Sequence, residues 1–140
     1  MRDLTAFLRP NVQEVENLRF QASKRFTGAD GAPIEWEIRC LSSTEDEEIR
    51  RASVRRSAGG RGQSTSETDV SLYLGKLAAK CTVYPDLNDQ TLQDSYSVMG
   101  MDNLLRAMLT PGEYADFLRE VQKICGFDTP FDQLVEEAKN

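Results

Sequence analysis

Between Ile34 and Cys40 apolar side chains alternate with polar ones; from Val70 onward they recur every three to four residues. This change of period constrains the fold most. Period two builds a strand with one buried face, and period 3.6 builds a helix with one buried stripe. Residues 17–40 therefore read as an antiparallel β-hairpin. Leu18, Phe20, Ala22 and Phe26 share one parity, and Ile34, Trp36, Ile38 and Cys40 share another. Glu35, Glu37 and Arg39 take the opposite face, and the segment Thr27 to Ala32 carries two glycines suited to a turn. A two-stranded hairpin alone is marginal in water, so this one has to lie on helices or on a partner's strand.

The helices are announced by their ends. Thr44 and Glu47 have capping-box spacing, with Glu45, Asp46, Glu47 and Glu48 crowding a first turn. Val70, Tyr73, Leu74, Leu77, Ala78 and Cys81 form a full stripe that Pro85 closes. Leu72 and Ala79 fall off this stripe, which predicts burial on more than one side. Asn88 is placed to cap a short helix with Leu92 and Tyr96, and Asp102 to open another with Leu104, Leu105 and Met108. Thr110-Pro111-Gly112-Glu113 is the strongest start signal: a cap, a proline at the first helical position, and an acid three residues beyond the cap. Its helix carries Tyr114, Phe117, Leu118, Val121, Ile124 and Cys125, and Gly126 suits a left-handed C-terminal cap. Thr129-Pro130 opens a last helix with Phe131, Leu134, Val135 and Ala138. The expected fold class is α+β, predominantly α: an N-terminal antiparallel hairpin packed on about five helices.

At 140 residues the chain fits one domain, 1–140, with residues 1–12 as a frayed or docking arm and the glycine- and serine-rich stretch 57–66 as a flexible loop. The N-terminus lacks the apolar core of a signal peptide, and no run approaches the length of a membrane span, so a cytoplasmic location is expected. There is no histidine, which removes the commonest general base and most catalytic zinc sites. Cys40, Cys81 and Cys125 have no CxxC spacing and read as buried reduced thiols. No phosphate-binding glycine motif or nucleophile elbow occurs. The residues thus predict no catalytic site, no metal, no cofactor and no enzyme.

Two clusters invite a sharper reading. Arg50 to Arg61 contains five arginines and no acid. It is either a phosphate-contacting arm or a helix whose basic last turn complements an acidic first turn, with Asp46–Arg50 and Glu47–Arg51 at the favourable i,i+4 spacing. A net charge of −6 and the lack of interleaved aromatics disfavour nucleic acid. Met99, Met101 and Met108 lie close together beside Tyr96, Leu104 and Leu105. Unbranched, polarizable side chains suit either a surface that repacks around a client or the filling of core gaps.

The order and spacing of several short segments resemble the XkdN-like phage tail assembly chaperones. They are Ser23-Lys24-Arg25-Phe26, Pro33 to Arg39, Tyr73 to Ala79, Tyr84 to Asp89, Leu92 to Tyr96, Leu109 to Tyr114 and Leu134 to Asn140. The likeness spans nearly the whole chain and is weakest at Ala58–Ser66. It implies a non-catalytic helper of phage or prophage tail morphogenesis in the host cytoplasm, absent from the finished virion. Such a helper binds the tape-measure protein and assists tail-tube subunits. The resemblance carries no site residues with it; the residues offered here as a client surface are Tyr96, Met99, Met101, Leu104, Leu105 and Met108. Self-association and a longer partner product made by frameshifting near Lys139-Asn140 are further expectations. The alternatives are a nucleic-acid-associated regulator using Arg50–Arg61 and a structural tail module.

Overall fold

A computed structural model describes residues 2–58 and 64–127. The expected hairpin is present but its regular ladder is short. β1 (Leu18–Phe20) pairs antiparallel with β2 (Trp36–Ile38), matching Leu18 with Ile38, Arg19 with Glu37 and Phe20 with Trp36. An isolated bridge between Thr27 and Pro33 closes the connection, where Gly31 takes φ +80°. The parity is as the sequence reads: Trp36 and Ile38 point inward and are buried, while Arg19 and Glu37 form an ion pair of 2.9 Å on the outer face.

After β2 comes α1 (Ser43–Ala52). Its cap is Ser42 rather than Thr44: the Ser42 hydroxyl accepts the Glu45 N–H at 3.2 Å and the Glu45 carboxylate accepts the Ser42 N–H at 3.1 Å. Arg39, at the end of β2, grips the same carboxylate at 2.8 Å, which selects this capping register over the equally spaced Thr44 and Glu47. α1 stops at Ala52, where the Ser53 hydroxyl donates to the Ile49 carbonyl. The arginine stretch then leaves the helix. β3 (Val54–Ala58) pairs antiparallel with β4 (Ser64–Thr68), so strand takes in both flanks of the loop expected at 57–66. The remaining loop residues, 59–63, lie outside the described residues.

α2 (Val70–Cys81) is the central helix, capped by the Asp69 carboxylate on the Leu72 N–H. Its whole predicted stripe from Tyr73 to Cys81 is buried, together with Gly75 and Ala79. Three residues that read as the end of this helix form β5 (Thr82–Tyr84), which pairs antiparallel with the free side of β2. The sheet order is therefore β1-β2-β5, with β2 in the middle. The peptide before Pro85 is cis.

α3 (Gln90–Ser95) is capped by Asp89 rather than Asn88. α4 (Met101–Met108) follows Gly100 at φ +94°, one residue earlier than the start expected at Asp102. α5 (Pro111–Cys125) has the predicted Thr110–Glu113 capping box and ends at Gly126 in the left-handed region, φ +76°. Its Phe117 packs against Phe20 of β1 and Trp36 of β2, so that Trp36 sits between Phe26 and Phe117, with ring centroids 5.8 and 5.7 Å away. These elements form an α+β fold dominated by helix. The helix expected from Thr129 lies outside the described residues.

The first residues of the chain make two 3-10 turns, Thr5–Phe7 and Arg9–Asn11, held by Asp3 on the Thr5 N–H and by Asn11 on the Thr5 carbonyl. Leu4, Phe7, Leu8, Val12 and Val15 all remain exposed on this arm.

Candidate functional site

A groove of about 470 Å³ opens between α1, α2 and the start of α4. Ile49, Ala52, Ala79 and Met101 supply its apolar lining; Glu45, Glu48, Lys76, Lys80 and Asp102 place both signs of charge around it. The groove exists because the residues that α1 and α2 turn toward each other there are small. Ala52 and Ala79 leave space where a leucine would fill it.

The six residues singled out as a client surface divide. Leu104 and Leu105 have no exposed surface, and Met108 is 5% exposed; all three belong to the core under α2. The helix that carries them turns the stripe Leu104, Leu105 and Met108 inward, so the gap-filling reading holds for Met108. Met101 is half-buried at the groove. Tyr96, at the end of α3, is 36% exposed, and Met99 is 83% exposed in the turn leading into Gly100 and α4. The structure thus brings Met101 to the groove, leaves Met99 exposed in the turn just before the groove residue Gly100, and removes three of the six to the interior. Ile49, Ala52, Lys76, Ala79 and Lys80 line the same groove and were not in the sequence-derived set. The one signal pointing to them was Ala79, lying off the α2 stripe.

Three arginines of the basic stretch, Arg50, Arg51 and Arg55, are engaged by carboxylates. Arg50 donates to Asp46 at 2.8 Å and lies 4.5 Å over the Tyr73 ring, while the Tyr73 hydroxyl donates to Asp46 at 2.5 Å. Burial and the Asp46 carboxylate push the Tyr73 phenol above its ordinary range. Arg51 approaches Glu47 at 3.7 Å, and Arg55 pairs with Glu67 across β3 and β4 at 2.9 Å. These contacts match the helix-dipole reading for Arg50 and Arg51 and a cross-strand reading for Arg55. Arg61 lies outside the described residues.

The three cysteines converge. Cys40 follows β2, Cys81 ends α2 and Cys125 ends α5. The Cys81 and Cys125 sulfurs are 3.9 Å apart, and the Cys40 thiol donates to the Leu41 carbonyl at 3.3 Å. Cys81 is fully buried; Cys40 and Cys125 are partly exposed. The hydrogen bond to Cys125 and burial both push the Cys81 thiol up. The contact with Cys81 chiefly holds the Cys125 thiol below its ordinary value. Among the described residues no group of three or more Cys, Asp or Glu is arranged to hold a metal ion, and no helix is long and apolar enough to cross a membrane.

Comparison with known proteins finds relatives along nearly the whole chain. The protein is 27% identical to the phage-like element PBSX protein XkdN of Bacillus subtilis (strain 168) over 140 residues, covering 99% of this chain and 94% of that one. It is also 27% identical to the protein YqbN of the same strain, covering 93% of that relative. The crystal structure of YqbN superposes with a TM-score of 0.78 at 22% identity, over 91% of this chain and 99% of the other, which establishes a shared fold. The model of the phage XkdN-like tail assembly chaperone proteins matches residues 4–139, and the chain belongs to that family.

Proposed function

We propose that this chain is a non-catalytic tail assembly chaperone that binds the tape-measure protein in the host cytoplasm, keeps it soluble and helps tail-tube subunits assemble around it, without remaining in the virion. The observation that carries this reading is Met99. It is 83% exposed beside exposed Tyr96 and one residue from the groove that Gly100 and Met101 line. A large thioether held out in water next to an apolar groove suits an apolar partner that is bound through varied side-chain packing. The partner is an amphipathic segment of the tape-measure protein. Its apolar stripe occupies the space between Ile49, Ala52 and Met101, and its charged flanks meet Lys76 and Lys80 of α2, Glu48 of α1 and Asp102 of α4. Tail-tube protein, further copies of this chain and a frameshifted longer product are the remaining partners of the same assembly step.

Co-expression with the tape-measure protein of the same phage tests the reading. Ala52→Asp combined with Met99→Asp, both at exposed positions, is expected to lower the soluble tape-measure fraction roughly tenfold, equivalent to about 1.4 kcal/mol of lost contact. Unchanged solubility with the folded double variant removes the groove as the client site. Recovery of this chain from purified tails favours a structural module instead.

A further inference from the structure

We propose that Cys81 and Cys125 form a peroxide-reactive dithiol, in which Cys125 is the thiol attacked first and Cys81 resolves it into a disulfide that ties the end of α2 to the end of α5. Three observations carry this. The two sulfurs already lie 3.9 Å apart, although 44 residues separate them in the chain. Closing to the ~2.05 Å of a disulfide requires side-chain movement of under about 2 Å. Next, the two thiols differ in the way a reactive pair requires. Cys125 is partly exposed and lines a surface cavity of about 250 Å³ beside Leu41, Asp46 and Phe127. Cys81 has no exposed surface and is reached only from its neighbour. Finally, each thiol ends a different core helix, so the bond would join elements that pack together without it. The shift of Cys125 toward its thiolate is consistent with this order of attack, because the thiolate is the nucleophile.

The steps balance. The Cys125 thiolate attacks one oxygen of hydrogen peroxide; the S–O bond forms as the O–O bond breaks, and the departing hydroxide takes a proton to become water. Cys125 is then a sulfenic acid. The Cys81 sulfur attacks the Cys125 sulfur, an S–S bond forms, and the S–O bond breaks. The leaving hydroxide takes the Cys81 proton as a second water. Two electrons pass from the two thiols to one peroxide.

The test is peptide mapping of the purified full-length chain under non-reducing conditions, after treatment with a small excess of hydrogen peroxide. The expected product is an intramolecular Cys81–Cys125 link, which also forms in Cys40→Ser, and raises Tm by roughly 10 °C over the reduced protein. In Cys81→Ser the Cys125 sulfenic acid is expected to persist and to be trapped by dimedone. Because Cys81 is buried and its serine variant risks misfolding, the mapping of the unmodified chain decides. A Cys40–Cys125 link, a link between two molecules, or fully reduced Cys81 and Cys125 after treatment each overturns the proposal.

Discussion

One oxygen of Glu113 accepts the guanidinium of Arg25 at 2.7 Å and the backbone N–H of Thr110 at 2.9 Å. The same Arg25 nitrogen donates to the Met108 carbonyl at 2.7 Å. The N-terminal cap of α5 is thereby also the clasp that holds the hairpin connection against the turn between α4 and α5, across 88 residues of chain.

That clasp sets an acid limit on stability. The Arg25 hydrogen bond chiefly, with Thr110 helping, holds the Glu113 carboxyl at about 2 against an ordinary 4.5. Arg39 does the same for Glu45, also at about 2, aided by the Ser42 backbone. A carboxyl depressed by folding contributes stability that is complete above its unfolded value and lost as pH falls toward its folded one. Tm is therefore expected to drop between about pH 4.5 and pH 2. Glu45→Gln with Glu113→Gln should lower Tm at pH 7 and flatten the acid limb. An acid limb as steep as the parent's would show that other carboxylates control it.

Trp36 is 2% exposed between Phe26 and Phe117. Trp36→Ala is expected to cost about 3–5 kcal/mol, read from denaturant unfolding. A loss below about 1 kcal/mol would mean that the sheet does not depend on this ring.

Met99 and Leu105 stand on opposite sides of the α4 region in energetic terms. Met99→Asp adds a charge where water already reaches and should change stability by under about 0.5 kcal/mol. Leu105→Asp buries a carboxylate among apolar side chains and should leave the chain unfolded or aggregated at neutral pH. Circular dichroism on the two variants distinguishes them; a native spectrum for Leu105→Asp contradicts its place in the core.

Gly126 ends α5 at φ +76° with no atom near the position a Cβ would take. Gly126→Ala should therefore cost only the left-handed backbone, about 1–2 kcal/mol, with no steric addition. A larger loss in thermal or denaturant melts would point to a contact at this cap.

The local signals were legible where local chemistry suffices. Thr110, Pro111, Glu113 and Gly126 mark α5 correctly because a cap is satisfied by residues within one turn. The parity of Trp36 and Ile38 was legible because a strand's faces follow from alternation alone. Other features were not. Ser42 displaces Thr44 as the cap because Arg39 holds Glu45, a contact from outside the helix. Thr82–Tyr84 leaves the helical pattern because β2 offers an unpaired edge at that point.

The α4 stripe makes the division plain. The spacing of Met101, Leu104, Leu105 and Met108 determined that this segment is an amphipathic helix with one apolar face, since that depends only on 3.6 residues per turn. Whether the face would meet a partner or α2 was not in the spacing, and the fold turned it onto α2, leaving Met99 outside. In the same way the sequence placed Cys40, Cys81 and Cys125 at apolar-patterned positions in three separate segments. Their meeting at one point was decided by how β2, α2 and α5 pack, because proximity between distant residues is a property of the packed core and not of any local period.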